Sequence, residues 1–181
     1  MKSSRILVIG FLILVCIPII FVLASIFFPA KFEVKRSIEI EAKPAEIFPY
    51  VNNMRNWIQW TPWNVEVDST IEYSFSGPLQ GVGSQQIWEA DQIGSGVMTI
   101  QESVAPDSLQ YNVIFNANYE MDGKFVFTSI GTNETRVTWT MMGQTGFAPN
   151  RKIMASLMDE KMGIDRERGL KNLKELVEGF E

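Results

Sequence analysis

The hydrophobic and polar residues between positions 32 and 144 alternate with a period of two, and short runs of turn residues interrupt the alternation. Such alternation is typical of strands that bury one face. Seven strands are predicted, at residues 32–41, 65–75, 84–90, 96–105, 109–117, 123–130 and 134–144. Because several of the gaps between them have the length of a hairpin turn, we expect an antiparallel meander.

The pattern changes to a period of three to four residues after Pro149. This period is that of an amphipathic helix, and it predicts one long helix over residues 150–180 with Asn150 near its N-cap. Its apolar face consists of Met154, Leu157, Met158, Met162, Leu170, Leu173, Leu176 and Val177. Two short helices are predicted after the first strand, one opening at Pro44 and one at residues 54–60. A broad Met-rich helix face and a run of strands can bury each other, so the sheet should wrap this last helix.

Residues 6–30 carry no charged side chain. A helix crosses a bilayer with about 20 apolar residues, so this run predicts a single transmembrane helix. The chain then divides into an anchor over residues 1–30 and a domain over residues 31–181. A cleaved signal peptide is the alternative, although its apolar region usually covers only about 7–15 residues.

The side of the membrane on which the domain lies is left open by the charges around this run. Counting Lys and Arg on both flanks favours the cytoplasmic side for the domain. A short basic start followed directly by the apolar run is instead typical of a signal anchor, and on that ground we favour the extracytoplasmic side.

Composition excludes several classes of site. The chain has no histidine, and its one cysteine, Cys16, lies inside the apolar run. Ser-His and Cys-His nucleophile pairs, Cys/His zinc sites and intrachain disulfides are therefore excluded. The net charge of -5, without a basic cluster, argues against nucleic acid as a partner. We expect no metal, no cofactor and no catalytic residue; an enzymatic role is disfavoured but open, as is the oligomeric state.

Several short motifs occur in an order that matches a known family. They are residues 36–40 (RSIEI), 44–48 (PAEIF), 56–57 (NW), 60–63 (WTPW), 73–77 (YSFSG), 81–84 (GVGS) and 137–140 (VTWT), followed by the last helix. With these motifs the chain resembles, over about residues 32–180, the START/Bet v 1-like superfamily, also called SRPBCC or polyketide cyclase/dehydrase and lipid-transport proteins.

The resemblance implies an α+β helix-grip fold, in which a seven-stranded antiparallel sheet curls around a long C-terminal helix and two short helices follow the first strand. It also implies an apolar cavity between sheet and helix. Members bind lipids, sterols, polyketides or other apolar molecules in this space, and a few are cyclases.

Large, soft side chains are the candidate lining of that cavity. A ligand pocket needs apolar walls with few polar groups, and Met can repack around ligands of different shape. The candidate ligand-binding residues are Trp57, Trp60, Trp63, Trp88, Phe115, Phe125, Trp139, Met154, Met158 and Met162. Ordinary core packing is the alternative for each of them.

Polar candidates are few. The charged residues at positions 159–168 are expected on a solvated helix face, with Asp165 near the apolar stripe. The candidates for acid/base chemistry are Glu102, Tyr111, Tyr119 and Glu120. Gly163 and Gly169 interrupt the last helix and predict either close packing on the sheet or room for a ligand.

The function predicted from these features is a membrane-anchored SRPBCC domain that binds an apolar or amphipathic small molecule, or a lipid, between the sheet and the last helix. A polyketide cyclase- or dehydratase-like enzyme is one alternative. A non-catalytic interaction module at the membrane is another.

Overall fold

Seven antiparallel strands form one sheet in the order β1-β7-β6-β5-β4-β3-β2. The strands are β1 (Lys31–Ile40), β2 (Glu72–Ser76), β3 (Gln85–Glu89), β4 (Gly96–Val104), β5 (Ser108–Phe115), β6 (Tyr119–Gly131) and β7 (Glu134–Gln144). In this computed structural model the described residues are 10, 14–17, 19–20, 22–23, 27–144 and 149–179, without the side chains of residues 149–151 and 154. Strands β2 to β7 pair with their neighbours in chain order, which confirms the predicted meander, and β1 pairs with β7.

Two short helices separate β1 from the rest of the sheet, as predicted. They are α1 (Pro44–Asn52) and a 3-10 helix (Met54–Gln59). Pro44 lies in the first turn of α1, where its missing N–H leaves no bond unmade. The Glu46 side chain reaches back and accepts a hydrogen bond from the Lys43 backbone N–H at 2.8 Å, which closes the helix start.

The C-terminal segment forms two helices, α2 (Pro149–Ser156) and α3 (Met158–Glu178), so the prediction of one uninterrupted helix is wrong. The interruption is Leu157, whose φ of -96° and ψ of -4° depart from helical values. Just before it, the Ser156 hydroxyl donates to the carbonyl of Ile153 at 2.7 Å. A serine that bonds locally in this way competes with the regular helical ladder.

The second predicted strand is also wrong over residues 65–71, where the chain makes turns and β2 begins only at Glu72. The backbone N–H groups of Val67 and Asp68 both bond to the carbonyl of Asn64, at 3.0 and 3.1 Å. The Asn64 side-chain oxygen accepts from the N–H of Glu66 at 3.0 Å. Asn and Asp form such local bonds readily, and here they outcompete pairing with a strand.

Helix α3 packs on the core face of the sheet through buried Gly169, Leu170 and Leu173. A Cβ atom on Gly169 would lie 2.9 Å from the Trp139 ring, and one on Gly163 would lie 2.0 Å from a guanidinium nitrogen of Arg36. Gly169 therefore allows close packing against a rigid ring, whereas Gly163 faces the movable end of the Arg36 side chain. Neither glycine lines the cavity described below.

About half of the predicted transmembrane segment, residues 6–30, falls on residues outside those described. Among the residues that are described, no helix combines the length and the hydropathy needed to cross a membrane. The anchor at residues 1–30, and the division of the chain at residue 31, stay predictions.

Candidate functional site

A cavity of about 840 Å³ lies between the sheet and α3. Every strand contributes at least one side chain to its wall, and the loop after the 3-10 helix adds Thr61 and Trp63. Its most frequent lining residue is methionine, with Met98, Met121, Met141, Met158 and Met162. The volume lies in the usual range of small-molecule pockets, about 300–1,000 Å³.

The candidate ligand-binding residues divide between this cavity and the core beside it. Those that line the cavity are Trp63, Trp88, Phe115, Met158 and Met162. Those that lie in the core without lining it are Trp57, Trp60, Phe125 and Trp139. The side chain of Met154 lies outside the described part of the chain.

The core beside the cavity is filled by aromatic rings, and we call it the aromatic half: Phe48, Trp57, Trp60, Phe125, Phe127 and Trp139. Trp57 and Trp60 enter it from the 3-10 helix and its C-cap, and both are fully buried. The Trp57 ring centroid lies 4.9 Å from that of Trp60 and 6.2 Å from that of Trp139. The Trp57 indole N–H donates to the Val51 carbonyl at 2.8 Å, so its polar atom is satisfied.

Arg166 lies where the aromatic half meets the cavity, and it was missed in the sequence. Its side chain lines the cavity, yet the residue is only 2% exposed. The expectation that it belongs to a solvated helix face is wrong, although Asp159 and Glu167 of the same helix are exposed as expected. A gap in the apolar stripe was the available signal, since Arg166 occupies the position four residues from both Met162 and Leu170.

The guanidinium group of Arg166 contacts two indole rings. Its Cζ atom lies 4.7 Å from the Trp63 ring centroid and 4.5 Å from that of Trp139. Such cation–π contacts recover part of the lost hydration of the charge. The backbone carbonyl of Trp63 accepts a hydrogen bond from the Tyr73 hydroxyl of β2, which holds the Trp63 loop against the sheet.

These contacts leave the polar atoms of Arg166 unsatisfied. Its Nε and Nη1 have no hydrogen-bond partner among the described residues. Burial lowers the pKa of the guanidinium from its ordinary value, while the nearby Tyr111 and Asp165 act in the opposite direction. The indole N–H of Trp88, on another wall of the same cavity, is likewise buried without a partner among those residues.

Tyr111 is the buried member of the acid/base candidates. Its hydroxyl accepts a hydrogen bond from the Trp139 indole N–H at 2.7 Å and lies 3.7 Å from the Met141 sulfur. Burial raises the pKa of Tyr111 to about 12, so at neutral pH the hydroxyl is uncharged and can act only as a weak acid.

The remaining acid/base candidates are more exposed. Tyr119, Glu120 and the half-buried Asp165 line the cavity, whereas Glu102 does not and bonds with Gln110 instead. No group of three Asp, Glu or Cys side chains in the described part of the chain is placed to hold a metal ion. The interior therefore offers mainly apolar walls and N–H donors.

A family model described as polyketide cyclase / dehydrase and lipid transport matches residues 31–178, which is most of the chain. The chain belongs to this family. No curated protein matches it significantly.

Solved structures with the same fold are distant in sequence from this family member. A solution structure from Thermobifida fusca is 18% identical with a TM-score of 0.61, and the match covers 82% of this chain and 95% of the other. A crystal structure of a protein from Chromobacterium violaceum is 14% identical with a TM-score of 0.58, covering 81% and 96%. The di-domain ARO/CYC StfQ from the steffimycin biosynthetic pathway is 8% identical with a TM-score of 0.61, covering 83% of this chain and 51% of StfQ.

The fold of this polyketide cyclase/dehydrase family member is the α+β helix-grip type, as the resemblance implied. A seven-stranded antiparallel sheet and the C-terminal helix α3 enclose the space in which the cavity lies. At these identities the solved structures establish the fold alone, so the function has to be argued from the cavity itself.

Proposed function

We propose that this protein binds an apolar or amphipathic small molecule, in the class of lipids or polyketides, inside the cavity between the sheet and α3. The observation that carries the proposal is the cavity of about 840 Å³ with methionine and aromatic walls. Native interiors are close-packed, and a space of this size leaves an apolar lining in contact with solvent. An apolar ligand that enters it covers that lining and adds dispersion contacts.

The choice of wall residues supports a ligand that varies in shape. Methionine has three rotatable bonds and a polarisable sulfur, so a methionine-rich wall can repack around different apolar surfaces. Met158 and Met162 come from α3, while Met98 and Met141 come from the sheet, so both walls share this property.

A membrane tether through residues 6–30, with the domain on the extracytoplasmic side, is part of the proposal. It is supported by the uncharged run in the sequence. A domain held at a bilayer meets lipid ligands at a high local concentration. The full chain should remain in the membrane pellet after an alkaline carbonate wash, and release into the wash would contradict the tether.

Brominated lipids test the binding site directly because bromine quenches tryptophan fluorescence at short range. All five tryptophans lie between residues 57 and 139, outside the predicted membrane segment. The probes are dibromostearic acid and its methyl ester, added to the full chain in nanodiscs. Quenching that saturates with at least one probe is expected, because Trp63 and Trp88 line the cavity.

The matched control for this experiment adds bulk to the cavity wall. Val113 is buried on β5 and lines the cavity, so Val113→Phe places a ring where a ligand would lie. The variant should bind the probe more weakly and show less quenching at a given probe concentration. Absence of saturable quenching by either probe in the wild type, or equal quenching in the variant, would contradict the proposed function.

A further inference from the structure

Arg166 and the cavity together point to the chemical class of the ligand. We infer that the cavity takes an apolar molecule with a single carboxylate, and that this carboxylate binds the guanidinium group of Arg166. This inference rests on the proposed function and adds to it the identity of the polar end of the ligand.

The first step is the unmet hydrogen bonding of a buried cation. Arg166 is 2% exposed, and its Nε and Nη1 find no acceptor among the described residues. Buried polar groups in native proteins are almost always paired, and an unpaired buried charge is among the most costly features a core can hold. Both indole rings lie within cation–π distance of Cζ, and neither supplies an acceptor for Nε or Nη1.

The second step is that the described part of the chain supplies no counter-ion in contact with Arg166. No ion pair involves Arg166 among the described residues. Asp165, its neighbour on α3, acts on it only through space. The planar fork of a guanidinium matches the two oxygens of a carboxylate, so an acidic ligand can supply an anionic acceptor for Arg166.

The third step limits the charge of the ligand. The charged side chains that line the cavity are the buried Arg166, the half-buried Asp165 and the exposed Glu120. The single positive charge of Arg166 can pair with one negative charge, and the second charge of a dianion such as a phosphate monoester would be unpaired and would be repelled by the two carboxylates. The buried, unpaired N–H of Trp88 on the same cavity also calls for a ligand that carries acceptor atoms.

The experiment compares the two brominated probes, which differ only in whether the carboxylate is free or esterified. In the wild type the acid should bind about ten- to a hundredfold more tightly than the ester, the range of a charge-assisted hydrogen bond. Arg166→Met removes the guanidinium group and its charge and keeps an unbranched apolar side chain that reaches as far as the position of Nε. In this variant the acid should fall to the affinity of the ester, and the affinity of the ester should stay within about threefold.

The outcomes separate this inference from the proposed function. Equal affinity of acid and ester in the wild type would overturn the carboxylate site while leaving apolar binding intact; that is the result expected if water alone satisfies Arg166. Binding of neither probe would overturn both. A dibromoalkyl phosphate that outcompetes the acid would overturn the limit to a monoanion.

Two further variants keep the test decisive if Arg166→Met does not fold. Arg166→Lys keeps the charge but loses the bidentate fork, so the preference for the acid should shrink without vanishing. Asp165→Asn removes a nearby negative charge and should tighten binding of the acid about two- to fivefold, with no change for the ester. An unchanged preference for the acid in both variants would contradict the assignment.

Discussion

The aromatic half and the cavity share the same sheet and the same helix, yet one is filled and the other is open. The difference is the 3-10 helix after α1, which inserts Trp57 and Trp60 between the sheet and α3. Among the described residues, no comparable segment covers the part of the sheet around Trp88 and Met98. The sheet and α3 thus leave a space between them, and the 3-10 helix after α1 fills part of it.

Substitutions in the aromatic half and in the cavity should therefore differ in their effect on the free energy of unfolding. In the aromatic half every ring except Phe48 contacts at least two others, so loss of one of these rings creates a void. In the cavity the walls face open space, so added atoms have room. Mutations can therefore test whether stability comes from one half and binding from the other.

The largest effect is expected for Trp57→Ala in the aromatic half. Trp57 is fully buried, contacts four other aromatic rings and donates a hydrogen bond to Val51. Its loss should lower the free energy of unfolding by about 3–5 kcal/mol, the usual cost of removing a large buried aromatic side chain. Urea unfolding followed by circular dichroism measures the change, and a loss below about 1 kcal/mol would show that the aromatic half is not close-packed.

A matched pair of valines gives the next effect. Val137→Phe adds a ring to the filled core around Phe127, where overpacking should cost about 1–3 kcal/mol. Val113→Phe adds the same ring to the cavity and should change the free energy of unfolding by less than about 1 kcal/mol. Equal destabilisation in the two variants, measured by urea unfolding, would mean that the space beside Val113 is not open.

The smallest effect is expected at Asp68, in the turn before β2. Its carboxylate accepts hydrogen bonds from the N–H groups of Thr70, Gln92 and Ile93 at 3.1, 2.7 and 3.0 Å, and from the Thr70 hydroxyl at 2.6 Å. These bonds, with that of the Thr70 hydroxyl first, lower the pKa of Asp68 to about 2. Asp68→Asn should lower the Tm at neutral pH, because an amide is a weaker acceptor than a carboxylate.

The pH dependence gives the sign of this effect. The pKa of Asp68 in the folded protein lies below its ordinary value of 3.8, so its contribution is complete above about pH 4 and is lost as the pH falls through 2. The difference in Tm between wild type and Asp68→Asn should therefore be constant from neutral pH to about pH 4 and shrink below it. A difference that grows on acidification would contradict the assigned role.

The sheet could be predicted from the sequence because the side-chain period of a strand is two, and one buried face imposes it on every strand. The prediction fails where side chains bond to the nearby backbone. Asn64 and Asp68 form turns in a stretch whose alternation suggests a strand, and Ser156 contributes to the interruption of α3 from α2. The period of the hydrophobic pattern gives no information about such local hydrogen bonds.

The residue types of the cavity wall could be predicted from the sequence, but not which of the candidate residues line the cavity. Tryptophan and methionine are suitable for both a core and a pocket, and only the position of the 3-10 helix assigns Trp57 to one and Trp63 to the other. Arg166 was missed because arginine is rarely buried, so residue type outweighed its place on the apolar stripe. Its burial depends on Trp63 and Trp139, which are distant in sequence.

The contact between α3 and β1 bears on self-association, since an open sheet exposes unpaired backbone groups along its outer strands. At one border the Lys174 ammonium donates to the carbonyl of Glu39 at 2.7 Å, and Glu178 accepts from the N–H of Glu41, also at 2.7 Å. The helix thus occupies backbone groups that a second chain would need. The other edge strand, β2, is only five residues long, so it offers few backbone groups for pairing with an edge strand of a second molecule.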